Sequence, residues 1–135
     1  MHVAEHLVAS TRSGDRSLCT PDRAQWLWEH LHRALVAVRA TCIMPDHIHL
    51  LLALGQLATL RRVLTGFTQV FGVRFDLLPP QVANSEAIAR RMARYIWCNP
   101  LHARLATDPF AWPWSSARDA VGATAYPRGV TEATA

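Results

Sequence analysis

The stretch Met44-Pro45-Asp46-His47-Ile48-His49-Leu50-Leu51-Leu52 places two histidines one residue apart at the start of an apolar run. Its first three residues are typical of a turn, because proline fixes φ and aspartate can hydrogen-bond its own backbone. In a β-strand alternate side chains share a face, so His47 and His49 would point to one side and their apolar neighbours to the other. A helix would separate the two imidazoles by about 200°. The stretch therefore predicts a strand that begins at about His47 and carries two potential metal ligands on one face.

The composition indicates one domain rather than several. A chain of 135 residues, 50% of them hydrophobic, has room for one well-buried core. We expect a single α+β domain over residues 1–120 and a poorly ordered tail over residues 121–135. The formal charge is +4 and all 14 basic residues are arginines. Arginine suits phosphate, which is a modest indication of nucleic acid, although a genome rich in G and C would produce the same bias.

The cysteine pattern and the hydropathy favour a cytoplasmic protein. Cys19, Cys42 and Cys98 form no CxxC pair and no even-numbered framework, which fits a reducing compartment better than a secreted scaffold. Each is most simply a small buried hydrophobic residue. No apolar run reaches the roughly 18 residues of a membrane span, and no charged-then-apolar leader is present. We therefore expect no membrane partner.

The order of predicted elements indicates a ferredoxin-like sandwich, with an antiparallel sheet and helices packed on one face. Thr20 is a candidate cap for the first helix, Asn84 or Ser85 caps the third, and the third ends before Pro100. The other sheet face would be left for function, with the third helix alongside. The predicted strands cover 2–11, 34–43, 47–54 and a further segment near 72–78; the predicted helices cover 21–33, 57–71 and 86–99, and 77–81 is a predicted loop.

The third helix carries two polar side chains of chemical interest, Tyr95 and Asn99, at i and i+4 on one face. If that face lies over the exposed side of the hairpin, then His47, His49 and the Asn99 side-chain oxygen would form a three-ligand metal site with open positions. Mixed nitrogen and oxygen ligation suits Mg²⁺ or Mn²⁺, while imidazole also suits zinc. A phenol of pKa about 10 is a poor nucleophile, but a metal that polarises the target phosphate would allow Tyr95 to attack.

These motifs resemble the REP-associated tyrosine transposases, which belong to the wider HUH group of single-strand transposases related to IS200. The resemblance rests on three motifs that match in order and roughly in spacing within residues 2–116. They are Met44-Pro45-Asp46-His47-Ile48-His49-Leu50-Leu51-Leu52, Tyr95-Ile96-Trp97-Cys98-Asn99-Pro100-Leu101-His102-Ala103-Arg104-Leu105, and Trp112-Pro113-Trp114-Ser115-Ser116.

The resemblance implies a metal-dependent strand transferase that binds single-stranded or hairpin DNA, cuts one strand, and joins the 5′ phosphate to a tyrosine. Tyr95 matches that nucleophile, His47 and His49 match the paired metal ligands, and Asn99 matches the polar ligand one turn after the tyrosine. The group contains self-contained monomers as well as homodimers with shared active sites, so a homodimer is possible for this chain.

The chain also departs from the family pattern. A basic stretch containing Gly and Trp usually precedes the tyrosine helix, and here that region is the short segment 73–81. Asp46 stands where asparagine is usual, and His102 and Arg104 replace the usual arginine and glycine. These departures make a catalytically inactive DNA-binding protein the second hypothesis, with a metal-binding domain of other chemistry as a third.

Other residues have two readings each. The histidine pair could be solvent-facing, Tyr95 could be an ordinary aromatic residue, and Asn99 could merely terminate its helix. Trp112 and Trp114 could stack on bases, but tryptophans beside proline more often close the edge of a core. The remaining histidines have no predicted role. The candidate phosphate-contacting arginines, which could equally be solvated, are Arg90, Arg91 and Arg94 beside the tyrosine and Arg61 and Arg62 on the second helix.

Overall fold

A β-α-β-β-α-β order runs through the first part of the chain, and a third long helix follows it. The computed structural model describes residues 2–120; the predicted tail at 121–135 lies outside these residues. The elements are β1 (Ala4–Thr11), α1 (Pro21–Ala34), β2 (Ala40–Ile43), β3 (His47–Leu52), α2 (Leu57–Phe71), β4 (Phe75–Leu77), β5 (Gln81–Ala83), α3 (Glu86–Trp97), α4 (Asn99–His102), a 3-10 turn (Pro109–Ala111) and α5 (Ala117–Ala120).

The strands form one antiparallel sheet in the order β2-β3-β1-β4, with β5 also paired to β1. This is the ferredoxin-like arrangement, so the predicted fold class is confirmed. In the central register, Val8 of β1 lies opposite His49 of β3, and Cys42 of β2 lies opposite His49 on the other side. The histidine strand is therefore paired along both edges.

The two faces of the sheet have different partners. Leu7, Ile48 and Leu50 point to the first face and form a fully buried core with α1 and α2. On the second face, Cys42 and Leu51 pack against small apolar residues of α3 such as Ala93. Ala4 of β1 and Ala83 of β5 belong to the same core. Helix α3 therefore crosses one end of the second face from β2 to β5, and the histidines lie beside it.

The boundaries of α1, α2 and α3 follow local signals, although α1 lacks a side-chain cap. Ser85 caps α3 by accepting a hydrogen bond from the Ile88 backbone amide at 3.2 Å. Gly72, with φ of 75°, ends α2 in the left-handed conformation that glycine adopts without strain. Helix α1 begins at Pro21, as predicted, with Thr20 at the N-cap position; the predicted side-chain cap is wrong, because the Thr20 hydroxyl donates to the Ser17 carbonyl at 3.0 Å.

The predicted strand at 34–43 is shorter in the structure, because residues 35–39 form a turn. Ala37 has φ of 52°, and the Gln56 side chain pairs with both backbone groups of Val36, accepting from its amide and donating to its carbonyl at 2.6 Å each. A side-chain amide from 20 residues away therefore takes the place of a strand partner.

The segment at 77–81, predicted to be a loop, is part of an interrupted edge strand. Leu77 lies opposite Ala9 and Gln81 lies opposite His6. The edge thus advances four residues where β1 advances three. The extra residue makes a bulge, and Pro79 and Pro80 are tolerated in it because an edge position needs no amide donor. The consequence is that Gln81 returns to the sheet directly beside His6.

The segment Trp112–Ser116 closes the outer edge of β2. The Ile43 amide donates to the Trp114 carbonyl at 2.8 Å, and the Trp112 indole donates to the Ile43 carbonyl at 2.9 Å. Trp114 packs against the first core and Trp112 against the second. The interpretation that these tryptophans close a core edge therefore agrees with the structure, and neither indole stands free as a stacking platform.

Ser116 joins this segment to both β2 and the tyrosine helix. Its hydroxyl accepts from the Thr41 amide at 2.9 Å and from the Trp97 indole at 3.0 Å, and Thr41 is fully buried. We expect Ser116→Ala to lower the free energy of unfolding by about 1–3 kcal/mol, because both donors lose their acceptor. Urea unfolding measures this. Ser13→Ala, in an exposed turn, is the control and should stay within about 0.5 kcal/mol of the unsubstituted protein; an equally small effect of Ser116→Ala would contradict the bridging role.

The cysteines take structural positions. All three are free thiols, with Cys42 buried and Cys19 and Cys98 half-buried. Burial raises the pKa of Cys19 to about 12, which keeps that thiol protonated and unreactive. Within residues 2–120, no helix is long and apolar enough to cross a membrane.

Candidate active site

The two histidines of β3 lie on the second face of the sheet, as predicted. Their ring centroids are 4.8 Å apart and the rings are nearly perpendicular, at 82°. His49 is buried, with 6% of its surface exposed, and His47 is half-buried at the start of the strand. The pairing of β3 along both edges holds this geometry, because each backbone position between the rings is part of a ladder.

Asp46 fixes the orientation of His47. The His47 Nδ1 atom donates to Asp46 Oδ1 at 2.7 Å, and Arg16 contacts the other carboxylate oxygen at 3.3 Å. The hydrogen bond from His47 holds the pKa of Asp46 below its usual value. Because Nδ1 is engaged, Nε2 is the nitrogen of His47 left to bind a ligand.

A third histidine, His6 of β1, belongs to the same cluster. Its Nε2 lies 3.0 Å from His49 Nδ1, and the two ring planes are 29° apart with centroids separated by 5.2 Å. Its Nδ1 lies 3.3 Å from Gln81 Oε1. Sequence reasoning assigned His6 no role, because its proximity to His49 depends on the register of β1 against β3. The only local signal was its place in an alternating strand.

Burial keeps the inner imidazoles neutral. It lowers the pKa of His49 to about 3, with smaller contributions from the charges of His47 and His6. It also lowers the pKa of His6, against an opposing hydrogen bond to Gln81. Neutral imidazole is the form that binds metal ions.

Tyr95 stands over the histidines from α3. Its ring centroid lies 6.0 Å from that of His49 and 6.4 Å from that of His6, edge-on to both. The opposite side of the helix is anchored by Ala93 and Ile96 in the second core, and 52% of the Tyr95 surface is exposed. The tyrosine is therefore held beside the cluster while its phenol stays accessible.

Asn99 lies one turn beyond Tyr95, where α3 has ended and α4 begins. Cys98 separates the two helices, and Pro100 occupies the first turn of α4, where its missing amide costs no hydrogen bond. The Asn99 side chain makes no hydrogen bond with any residue of the described part of the chain. Its carbonyl oxygen is thus free to accept a ligand, and its placement beside the histidines stays a prediction.

The departures at His102 and Arg104 also lie here. The His102 ring lies 6.3 Å from the Tyr95 ring. Arg104 has φ of 59°, a conformation that glycine adopts more readily. The usual family glycine at this position therefore has a backbone reason, and Arg104 adopts the same conformation.

An open cavity of about 770 Å³ joins the tyrosine to the histidines. Its floor is formed by His6 and His49, and one wall is apolar, formed largely by the bulge at the sheet edge and by α3. The lining residues are His6, Val8, His49, Leu78, Pro79, Pro80, Gln81, Ile88, Arg91, Met92 and Tyr95.

The candidate arginines fall into two groups on different surfaces. Arg91 lines the cavity, and Arg90 and Arg94 are exposed on the same helix. Arg61 lines a second cavity between α2 and β4, and Arg62 contacts Thr59 within α2. Since α2 packs on the first face of the sheet, Arg61 and Arg62 cannot contact the same phosphate as Tyr95.

The donor set suits a divalent cation. His47 and His49 are neighbours on one face, and each uses Nδ1 for a protein hydrogen bond, so Nε2 is the remaining ring nitrogen of each. Among residues 2–120, no three His, Cys, Asp or Glu side chains form a metal-ligand group. Asn99, whose side-chain oxygen was predicted to be the third ligand, is of another chemical type and stays a prediction.

Comparison with solved structures finds the same fold in a transposase. The structure of a REP-associated tyrosine transposase bound to a REP hairpin matches with a TM-score of 0.75 and 18% identity, over 93% of this chain and 83% of that one. The fold expected from the resemblance is therefore confirmed. A crystal structure of a proposed transposase from Deinococcus radiodurans R1 matches with a TM-score of 0.38 and 22% identity, over 71% of this chain and 89% of that one, which is too weak to add support. No protein-family model matches the chain, and no curated protein matches it.

Proposed function

We propose that the protein is a metal-dependent tyrosine transposase that cuts and rejoins single-stranded or hairpin DNA through a 5′-phosphotyrosine intermediate. The observation that carries this is the position of Tyr95, an accessible phenol about 6 Å, ring to ring, from the buried His49. The candidate nucleophile thus shares a cavity with His49, one member of the candidate metal pair, and the His47 ring lies 4.8 Å from that of His49. The transposase of the same fold is bound to a REP hairpin, which supports hairpin DNA as the substrate class.

The reaction transfers a DNA phosphoryl group from a 3′ oxygen to the tyrosine oxygen. Tyr95 Oη attacks a backbone phosphorus while its proton leaves, so a bond forms between that oxygen and phosphorus. The bond from phosphorus to the 3′ oxygen breaks, and the departing oxygen takes a proton to become a free hydroxyl. Because the number of phosphodiester bonds is conserved, a 3′ hydroxyl can later attack the phosphotyrosine and reseal a strand without ATP.

Different residues would position the metal ion, the DNA backbone and the tyrosine. His47, His49 and Asn99 would hold Mg²⁺ or Mn²⁺. The bound ion would draw charge from the phosphate and stabilise the leaving oxygen. Arg91, at the cavity wall, and Arg94, on the next turn of α3, would attract the DNA backbone toward the tyrosine. The rigid β3 strand fixes the histidines relative to α3, which keeps the phenol aligned with the phosphate.

A second candidate is a DNA-binding protein without catalytic activity, and the short segment at 73–81 favours it. In the structure this segment forms only β4, the bulge and the start of β5. It therefore contributes only the short-stranded edge of the sheet where family members usually carry a longer basic stretch. DNA binding through arginines would survive this shortening even if cleavage did not.

Label transfer distinguishes the two candidates. Hairpin oligonucleotides with single-stranded flanks are labelled at either end and incubated with the full chain and Mg²⁺ or Mn²⁺. The proposal predicts that the 3′-end label becomes covalently attached to protein, while the 5′-end label is released on a shorter strand. It also predicts that EDTA prevents both. Salt-sensitive binding with no adduct under either metal would reject the enzyme and favour the binding protein.

Asp46 gives a further prediction within this proposal. Asp46→Ala leaves His47 Nδ1 without its acceptor, and we expect the affinity for Mn²⁺ to fall about 10–100-fold. Asp46→Asn, which carries the usual family residue, keeps an oxygen acceptor and should retain most of the affinity. Calorimetric titration with Mn²⁺ measures both variants. An Asp46→Ala protein that binds Mn²⁺ as tightly as the unsubstituted chain would show that this hydrogen bond does not support the metal site.

A further inference from the structure

His6 and Gln81 form a hydrogen-bonded chain that ends on His49. The chain runs from Gln81 Oε1 to His6 Nδ1 over 3.3 Å, and from His6 Nε2 to His49 Nδ1 over 3.0 Å. His6 is 6% exposed and His49 is 6% exposed, so water reaches the inner link poorly. Both hydrogen bonds join protein side chains, so they exist without a bound metal ion.

We propose that Gln81 and His6 are positioning residues that set which ring nitrogen of His49 carries the proton, and so leave its Nε2 free to bind the metal ion. This inference rests on the proposed function only for the identity of the ligand as a metal ion. The proton positions themselves follow from the two hydrogen bonds together with the orientation of the Gln81 amide.

Gln81, at the outer end of the hydrogen-bonded chain, determines which atom donates in each hydrogen bond. A carbonyl oxygen only accepts, so Gln81 Oε1 requires His6 Nδ1 to carry a hydrogen. A neutral imidazole has one N–H, so His6 Nε2 must be the acceptor of the inner link. His49 Nδ1 therefore donates, and its lone pair resides on Nε2.

The reverse orientation of the Gln81 amide would have the opposite effect. Its NH₂ group would donate to His6 Nδ1, His6 Nε2–H would donate to His49 Nδ1, and His49 would carry its hydrogen on Nε2. A neutral His49 in that form offers no lone pair to the cavity. One side-chain amide at the sheet edge thus determines whether the buried histidine can be a ligand.

His6 is a positioning residue and not a third ligand, because both of its nitrogens are already engaged. It matches the part that Asp46 plays for His47, where a hydrogen bond at Nδ1 likewise leaves Nε2 free. The bulge after β4 explains how Gln81 reaches its place, since the extra residue there returns the edge strand to register opposite His6.

The first experiment reads the tautomer of His49 in the metal-free full chain by ¹⁵N-resolved imidazole NMR. The proposal predicts hydrogen on Nδ1 of both His6 and His49 in the unsubstituted protein. In Gln81→Met, which removes the acceptor at an exposed position, the single Nδ1–H form of His49 should give way to a mixture. A His49 that carries its hydrogen on Nε2 in the unsubstituted protein would overturn the proposal.

The second experiment measures Mn²⁺ affinity by calorimetry in the same proteins. We expect His6→Phe to weaken binding about 10–100-fold and Gln81→Met to weaken it less. Val70→Ala is the control, because Val70 is exposed on α2, on the other side of the sheet from the cavity; it should bind within about twofold of the unsubstituted chain. Affinities of His6→Phe and Gln81→Met equal to that of Val70→Ala would overturn the proposal.

The two readouts separate this inference from the proposed function. If the unsubstituted protein forms no DNA adduct, the proposed function fails, while the tautomer of His49 still tests the hydrogen-bonded chain without metal or DNA. If the adduct forms but His49 carries its hydrogen on Nε2, the proposed function stands and this inference fails.

Discussion

Tyr95→Phe should abolish the covalent DNA adduct and lower the rate of strand cleavage by at least about 10³-fold, since the variant lacks the phenol oxygen that we propose attacks phosphorus. The loss should be specific to chemistry. Tyr95 is half-exposed, and its helix is held by residues on the opposite side, so the variant should fold and bind hairpin DNA about as tightly as the unsubstituted chain.

The sequence offers a matched control for this substitution, because it contains two tyrosines. Tyr126→Phe removes the other phenol, which lies outside the described residues, and should leave cleavage unchanged. Gel separation of adduct and free DNA measures both variants. Undiminished adduct in Tyr95→Phe together with loss in Tyr126→Phe would move the nucleophile to the second tyrosine.

His49→Ala should lower metal-dependent cleavage on the order of 10²–10³-fold while changing DNA binding little. The reason is that His49 is the buried member of the proposed ligand pair and lies next to Tyr95. His6 cannot take its place, because it is engaged on both sides. The expected signature is a lower rate at saturating DNA and a higher Mn²⁺ requirement.

His2→Ala is the control, because it also removes one histidine but from an exposed position at the start of the described residues. It should cleave at the normal rate. Single-turnover cleavage over a range of Mn²⁺ concentrations compares the two variants. An equal loss of DNA binding and cleavage in His49→Ala would indicate a structural residue and not a ligand.

The parts of the site that sequence reasoning predicted depend on local spacing. The positions of His47 and His49 on one face follow from a two-residue repeat, and the bounds of α2 and the Ser85 cap of α3 follow from patterns within single helices. The predicted metal site required that the Tyr95 face of the third helix lie over the histidine strand. The packing of α3 on the second face of the sheet meets that condition for Tyr95.

The parts that sequence reasoning missed depend on contacts between distant segments. His6 joins the site only because β1 pairs with β3 in one register, and Gln81 only because a bulge shifts the edge strand. The late start of the strand predicted at 34–43 likewise depends on Gln56, which pairs with Val36 from the start of another helix. No pattern within one element contains this information.

Asp46 shows how a departure from a family pattern can be compatible with function. As a sequence change it counted against activity, since asparagine is usual there. In the structure its carboxylate accepts from His47 and is itself paired with Arg16. Either side chain offers an oxygen to the imidazole, so the change preserves the contact that a metal-binding histidine needs.

Peptide mapping of the DNA adduct tests the central claim most directly. After incubation of the full chain with hairpin DNA and Mn²⁺, nuclease and trypsin treatment would leave a nucleotide remnant on one peptide. We predict the remnant on Tyr95, within the tryptic peptide of residues 95–104. A remnant on Tyr126, or an adduct that forms equally well in EDTA, would contradict the claim that Tyr95 and the histidine pair form one metal-dependent site.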